Sequence, residues 1–292
     1  DFELFALDDL RSEKIDQEPD EIPDRIESMA HALVCGIRDY FGKLNFKSAT
    51  LGLSGGIDSA VTLALASEAL GPENLHVLLL PSQYSSAHSV EDSLDLVKNL
   101  GVKSDILSIE SVFNQFRESL HPLFGELPED ITEENIQARI RGTLLMALSN
   151  KFGNILLNTS NKSETAVGYG TLYGDMSGGL SVLGDVYKSD VYLLAHHFNR
   201  EREIIPDHII TQPPSADSLP PYDQLDQILE AYIEKQLSVE KVAEIGFDPD
   251  LIRRIIRMVN QNEYKRYQTP PILRISSKAF GVGRRLPLVA KY

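Results

Sequence analysis

The segment whose residues are best suited to binding or catalysis is Leu51–Ser59. An apolar run there ends at Ser54-Gly55-Gly56, and Asp58-Ser59 follows. A buried strand, a glycine-rich turn and a helix start direct backbone N–H groups and the positive end of the helix dipole towards an anion. The loop lacks the Lys-Ser/Thr pair of a Walker A sequence, and a carboxylate beside a polyphosphate indicates a metal ion between them. The alternative is a strand-to-helix turn that uses glycine only for its geometry.

A second polar stretch, Asn158–Glu164, directly follows the apolar run Ile155–Leu157. If both apolar runs are parallel strands, their carboxyl ends meet at the edge of the sheet where ligands bind. Glu164 would then be a second carboxylate facing the phosphates and would share a magnesium ion with Asp58. The alternative is a helix-capping turn around Ser163.

Three further segments carry polar groups that could reach the same edge. Asn135 and Arg139 lie near the start of a long predicted helix, where such residues usually face solvent. Lys188 begins another predicted helix. Residues 168–179 are rich in glycine and are typical of a loop that wraps a ligand.

Composition limits the classes of protein to which the chain can belong. Its 292 residues are 42% apolar and 24% charged, as in an ordinary globular protein. No apolar run approaches the ~20 residues that span a bilayer, so we expect no membrane partner. The net charge of -15 disfavours nucleic acid as a partner. Because Cys35 is the single cysteine, the chain has no internal disulfide, which favours a cytoplasmic location.

The elements that must position these groups follow an alternating order of strands and helices. Apolar runs at 75–80, 105–109 and 155–157 predict strands, and amphipathic segments between them predict helices. Continuous apolar strands alternating with helices indicate an α/β fold, a doubly wound parallel sheet flanked by helices. Further helices are predicted over 222–236 and 239–245, and irregular structure over 206–221.

Several motifs together resemble those of NAD synthetases. The string Ser-Gly-Gly-x-Asp-Ser at 54–59 resembles the pyrophosphate loop of the PP-loop ATP pyrophosphatases, whose fold is adenine nucleotide alpha hydrolase-like. Later motifs narrow the resemblance to the NAD synthetase family, and they lie at 132–142, 158–164, 168–175, 217–222 and 263–266. The similarity is closest to the synthetase half of glutamine-dependent bacterial members.

The resemblance implies a reaction and a set of site residues. The family uses ATP to adenylate the carboxylate of deamido-NAD, and ammonia then attacks the acyl-adenylate to give NAD and AMP. Asp58, Glu164 and Lys188 would be the catalytic residues, with Asp58 and Glu164 holding Mg2+. The implied ATP contacts are Gly52, Leu53, Ser54, Gly55, Gly56, Ile57, Asp58, Ser59, Thr159 and Lys188. The implied deamido-NAD contacts are Asn135, Arg139, Glu164 and Lys265.

The resemblance also implies an assembly. Members of the family form homodimers with shared nucleotide sites, and the glutamine-dependent ones carry an amidase domain. Residues 1–22 would be a former linker to such a domain, and residues 23–292 would form the synthetase domain. Because the family has a longer segment at Ala216-Asp217, we expect residues to be missing from the sequence at this junction.

Two other classes of function stay open. Another PP-loop ATP pyrophosphatase, GMP synthetase-like or tRNA-modifying, would share the glycine-rich loop. A thiolase that carries sulfur on paired cysteines is disfavoured because Cys35 has no second cysteine to work with, and the negative charge disfavours tRNA. A nucleotide-binding module without turnover would have no use for Glu164 and Lys188.

Overall fold

The central feature of the fold is a parallel sheet. The computed structural model describes residues 24–83, 87–213, 219–281 and 283–288. Within these ranges one five-stranded sheet has the strand order β3-β2-β1-β4-β5, and every pairing is parallel. The strands are β1 (Ala49–Leu53), β2 (Leu75–Leu79), β3 (Lys103–Ile106), β4 (Ile155–Asn158) and β5 (Leu180–Ser181). The predicted α/β class and doubly wound parallel sheet are therefore confirmed.

The strand order reverses between β1 and β4. The chain runs outward from β1 through β2 to β3, and then returns to place β4 on the other side of β1. Such a switch point opens a crevice outside the carboxyl ends of the two strands, because their connections leave in opposite directions. The loop after β1 and the turn after β4 both lie there, as the sequence predicts.

Helices cover both faces of the sheet. The structure contains α1 (Arg25–Leu44), α2 (Ile57–Leu70), α3 (Ala87–Leu100), α4 (Glu110–Phe124), α5 (Ile131–Phe152), α6 (Lys162–Val167), α7 (Lys188–Phe198), α8 (Asp207–Thr211), α9 (Tyr222–Leu229), α10 (Val239–Ala243), α11 (Pro249–Gln261) and α12 (Glu263–Arg266). A π-helix, Glu230–Glu234, continues directly from α9. No helix in the described ranges is both long and apolar enough to cross a membrane.

The core explains why β2 reads as an uninterrupted apolar run. Val77 and Leu79 face the cluster that includes α1, α2 and α7, whereas Leu78 and the neighbouring Leu80 face the cluster beneath α4 and α5. Successive side chains of a strand point to opposite faces, so a strand covered on both sides needs apolar residues at every position. Helices packed on both faces hold the sheet in place, and with it the carboxyl ends of β1 and β4 that carry the polar loops.

The structure corrects three predictions of secondary structure made from the sequence. The third strand is Lys103–Ile106 rather than 105–109, and it lies at the sheet edge with mostly exposed residues, so apolar content was a poor guide. The predicted helix 222–236 changes to π geometry at Glu230. The segment 206–221, predicted to be irregular, contains the short helix α8. Residues 1–22 and the Ala216-Asp217 junction lie outside the described residues.

Candidate active site

The glycine-rich loop between β1 and α2 has the geometry of an anion-binding turn. Gly55 has φ +80°, and a Cβ at this position would approach the Ser89 Cβ to 2.7 Å, so a larger residue would force the loop away from α3. Gly56 is the N-cap of α2 and supplies no side-chain cap. The first N–H groups of α2 have no intrahelical partner and are available to a bound anion.

Two serine hydroxyls hold this loop closed. The Oγ atoms of Ser54 and Ser59 lie 3.2 Å apart, and Ser59 Oγ donates to the Gly56 carbonyl at 2.9 Å. Leu53 and Ile57 are buried in the core, so their predicted role in ATP binding would fall to backbone atoms. Gly52 lies on β1, where a Cβ would approach Leu145 Cδ1 to 3.0 Å, and thus lets α5 pack closely on the sheet.

Asp58, in the first turn of α2, is the meeting point of three elements. Its Oδ1 accepts a hydrogen bond of 2.9 Å from Asn161 Nδ2, at the start of α6. Its Oδ2 forms an ion pair with Nζ of Lys188, the first residue of α7. Lys188 is only 5% exposed, so this ion pair lies in a partly desolvated environment where charge interactions are stronger than in water.

Glu164 shares the electrostatic environment of this pair. Asn161 Oδ1 accepts from the Glu164 backbone N–H at 2.9 Å, which caps α6 and links it to Asp58. Burial of its carboxyl group and the negative charge of Asp58 raise the pKa of Glu164 to about 8. Burial lowers the pKa of Lys188, but the charges of Asp58 and Glu164 outweigh this effect and raise it. Two carboxyl groups therefore lie near one ammonium group.

This donor set fits a magnesium ion that is held mainly by phosphate and water. The described residues contain no group of three or more His, Cys, Asp or Glu side chains that could hold a metal by themselves. Mg2+ is commonly bound by one or two carboxylates together with waters and substrate phosphates. The two carboxyl groups of Asp58 and Glu164, beside an anion-binding loop, match that pattern, because a bound cation would favour the ionised form of Glu164.

A buried carboxylate that the sequence analysis did not single out, Asp226, fixes the two helices behind the site. Asp226 Oδ1 accepts from Ser163 Oγ, and Oδ2 accepts from the Ser189 N–H at 2.8 Å. Ser163 Oγ in turn accepts from the Lys188 N–H at 3.0 Å. The nearby Tyr222 ring centroid lies 5.4 Å from Lys188 Nζ. In the sequence, Asp226 is only one acidic residue of an amphipathic helix, so its role had no local signal.

Three of the four predicted deamido-NAD contacts surround the glycine-rich loop 168–179, whereas the fourth, Glu164, lies near Asp58. Asn135 Oδ1 accepts from Thr171 Oγ1 at 2.6 Å, and Arg139 Nε donates to the Leu172 carbonyl at 3.2 Å. From another side, Lys265 Nζ donates to the carbonyls of Gly168 and Gly170 at 2.8 and 2.9 Å. Asn135, Arg139 and Lys265 are thus brought to a common loop, whereas Thr159 follows β4 directly.

Close backbone packing holds that loop against α5. A Cβ on Gly142 of α5 would come within 2.8 Å of the Gly174 carbonyl oxygen, and a Cβ on Gly174 would come within 2.9 Å of the Ala138 backbone. Asn158 Nδ2 donates to the carbonyls of Asp175 and Ser177 at 2.7 and 3.2 Å. The loop is therefore attached both to β4 and to the helix that carries Asn135 and Arg139.

Comparisons with known proteins identify the family of the chain. The model of the NAD synthase family matches residues 29–269. The glutamine-dependent NAD(+) synthetase of Acinetobacter baylyi is 48% identical over 98% of this chain and 54% of its own length. The chain spans about half the length of the curated relatives it matches.

Solved structures show the same likeness. The glutamine-dependent NAD+ synthetase of Acinetobacter baumannii in complex with ADP is 48% identical, with a TM-score of 0.65 over 92% of this chain and 51% of that one. The NH3-dependent NAD synthetase of Campylobacter jejuni in complex with the nitrate ion is 30% identical, with a TM-score of 0.70 over 85% of this chain and 99% of that one. By its sequence and its fold, the chain belongs to the NAD synthase family.

Proposed function

We propose that this chain catalyses the ATP-dependent amidation of deamido-NAD to NAD. The observation that carries the proposal is the convergence of Asp58, Glu164 and Lys188 beside the glycine-rich loop at the switch point of the sheet. An anion-binding turn, two carboxylates and a buried lysine suit a reaction in which pyrophosphate departs from ATP. The activities named for the family's relatives support the same assignment.

The proposed reaction has two steps. A carboxylate oxygen of deamido-NAD attacks the α-phosphorus of ATP, and the bond to pyrophosphate breaks. Ammonia then attacks the acyl carbon, the bond to AMP breaks, and the nitrogen loses a proton to leave the amide. We assign to the N–H groups of residues 54–59 the binding of phosphate, and to Lys188 the stabilisation of charge on the departing pyrophosphate. Magnesium held by Asp58 and Glu164 would neutralise part of that charge.

Positioning is expected to supply much of the rate. Two nucleotides held in register can give effective molarities on the order of 10⁵ M or more. The loop 168–179, attached to α5 through Asn135 and Arg139 and to α12 through Lys265, is our proposed support for the dinucleotide. In this proposal, these residues act by shaping and holding the loop as well as by direct contact with deamido-NAD.

One assay separates this function from its rivals. The chain is incubated with ATP, Mg2+, deamido-NAD and ammonium, and NAD and AMP are measured. We expect both products in equal amounts, dependent on every component. AMP formed only with another acceptor would indicate a different ATP pyrophosphatase. Nucleotide binding without AMP formation would indicate a regulatory module and contradict the proposal.

The 292-residue chain is expected to use ammonia and not glutamine. Release of ammonia from glutamine needs a nucleophile, usually a cysteine with an activating base, and the only cysteine is Cys35, exposed on α1. Because only neutral ammonia has a free lone pair, activity at fixed total ammonium should rise as pH increases above 7. The measurement is NAD formed from ammonium chloride and from glutamine purified of ammonia. Comparable turnover with glutamine would contradict this prediction.

The homodimer is proposed to form through α4, α5 and the turn between them. This surface exposes large apolar side chains that a monomer would leave in water, namely Phe116, Leu123, Leu127 and Ile131. Leu123 and Leu127 are 79% and 73% exposed. Because α5 also carries Asn135 and Arg139, a second copy on this surface would lie close to the proposed dinucleotide site.

A double substitution tests this interface. Leu127→Asp with Ile131→Asp places charges in the apolar patch, and we expect it to shift the solution mass from twice 32.5 kDa towards 32.5 kDa. Light scattering after size-exclusion chromatography gives the mass. Leu44→Asp, a matched change at a 52% exposed residue of α1, should leave the dimer intact. A dimer that survives the double change, or a monomeric parent chain, would reject this interface.

A further inference from the structure

An ionic cluster centred on the fully buried side chains of Lys162 and Asp185 lies behind the proposed active site. Lys162 is 0% exposed, and its Nζ contacts Asp185 Oδ1, Glu234 Oε1 and Ser276 Oγ, each at 2.8 Å. The ammonium group donates hydrogen bonds to Glu234 and Ser276 and forms an ion pair with Asp185. The Tyr187 ring centroid lies 4.7 Å from the same Nζ. The charge of this buried lysine is therefore neutralised by carboxylates that are distant in sequence.

The cluster joins segments that carry proposed catalytic groups. Lys162 is the first residue of α6, two positions before Glu164, and Asp185 lies three positions before Lys188. The Lys162 N–H also donates to the Val186 carbonyl at 2.8 Å. Glu234 ends the π-helix that continues from α9. One ammonium group therefore connects the start of α6, the turn before α7 and the end of the π-helix.

Asp185 extends the connection to the C-terminal region. Its Oδ2 accepts from the N–H groups of Ile275 and Ser276 at 2.8 and 2.7 Å, and its Oδ1 accepts from Ser276 Oγ at 2.8 Å. Glu234 Oε2 accepts from Ser277 Oγ at 2.9 Å. Four segments of the chain are consequently held at one point with defined hydrogen-bond directions.

Helix geometry separates Lys162 from the substrates. Residues two positions apart on an α-helix project about 200° apart, so the Lys162 side chain points away from the face that carries Glu164. With no exposed surface on Lys162 or on the Asp185 side chain, neither group can contact ATP or deamido-NAD. Any effect of the cluster on the reaction must therefore pass through the backbone of α6 and of the turn before α7.

A contribution to the stability of the fold does not by itself explain why the chain has a buried ionic cluster here. Removing charges from water costs more than a buried ion pair commonly returns, and apolar side chains of similar volume often stabilise as well or better. Hydrogen bonds within an ionic cluster have preferred directions, which apolar contacts lack, and they therefore fix the relative positions of the segments they join. We propose that Lys162, Asp185 and Glu234 are positioning residues that hold Glu164 and Lys188 in register with Asp58. This inference rests on the proposed function for the roles of those three groups.

The test uses two variants and a readout that does not depend on catalysis. Lys162→Met removes the ammonium group, and Glu234→Gln removes the negative charge of one partner while leaving Lys162 paired with Asp185. Binding of Mg·ADP is measured by calorimetry, and kcat and the KM for ATP are measured at saturating ammonium. We expect Mg·ADP affinity and kcat to fall about 10-fold or more in Lys162→Met, as is typical when residues that orient metal ligands are changed. Glu234→Gln should show a smaller loss of the same kind.

A destabilised control separates positioning from folding. Leu33→Ala truncates a fully buried side chain of α1 and should lower Tm while leaving Mg·ADP affinity and kcat per folded molecule unchanged. If the cluster variants behave like this control, the inference is overturned. If Lys162→Met does not fold, the test depends on Glu234→Gln, and an unchanged Mg·ADP affinity and kcat in that variant overturn the inference. A parent chain that binds Mg·ADP but makes no NAD would refute the proposed function alone.

Discussion

Replacing Asp58 by Asn or Glu164 by Gln is expected to reduce the rate of NAD formation by roughly 10²–10³-fold. Both substitutions keep the size of the side chain; Asp58→Asn removes a negative charge, and Glu164→Gln removes the charge that Glu164 would carry beside a bound cation. Asp58 would lose its charge interaction with Lys188, and the pair of carboxylates proposed to hold magnesium would retain only one anionic member. Because magnesium binds through charge and oxygen ligands, the loss should be greatest at low magnesium and partly recovered at high magnesium.

The measurement is NAD formation against magnesium concentration for each variant. Asp39→Asn provides the matched control, since Asp39 is an exposed carboxylate on α1 that pairs with Lys43 in the i,i+4 arrangement. This control should retain the parent rate. Tm should change little in all three proteins if the carboxylates serve the reaction and not the fold. Turnover near the parent rate in both site variants at limiting magnesium would reject the assignment of Asp58 and Glu164.

The substitution Lys188→Met is expected to lower kcat by about 10²-fold or more, because the charge on departing pyrophosphate would lose one of its proposed cations. The buried position of Lys188 makes the effect larger than at a surface lysine, since few waters can replace its charge. Lys151→Met, a change at an exposed position in the last turn of α5, should have no comparable effect. Single-turnover formation of the acyl-adenylate, followed as pyrophosphate release, reports on this step directly.

A double-mutant cycle tests whether Lys188 and Asp58 act as one unit. Their side chains form an ion pair, so Lys188→Met and Asp58→Asn should be strongly non-additive in kcat. The double variant is expected to be little worse than the more impaired single variant. Fully additive losses would show that the two groups contribute to catalysis independently. A Lys188→Met rate within twofold of the parent rate would remove Lys188 from the proposed mechanism.

Local sequence patterns determined the sheet class and the position of the site. The apolar runs at β1 and β4 are followed at once by Ser54–Ser59 and by Asn158–Glu164. Parallel strands all have their carboxyl ends at the same edge of the sheet, so segments that directly follow two such strands lie at that edge. This holds for any arrangement of the helices between the strands. Asp58 and Glu164 could therefore be assigned to one site, and Lys188 joined them only through the resemblance to NAD synthetases.

The tertiary structure alone decided how those groups are held. Asp226 bonds to Ser163 and to the start of α7, although 63 residues separate Asp226 from Ser163 in the chain. Lys162 donates hydrogen bonds to Glu234 and Ser276, which are still further away in the sequence. The sequence around each of these residues reads as an ordinary helix or turn, because a buried ion pair has no local periodicity. Which acid reaches which lysine depends on how the helices pack, and packing is a property of the whole chain.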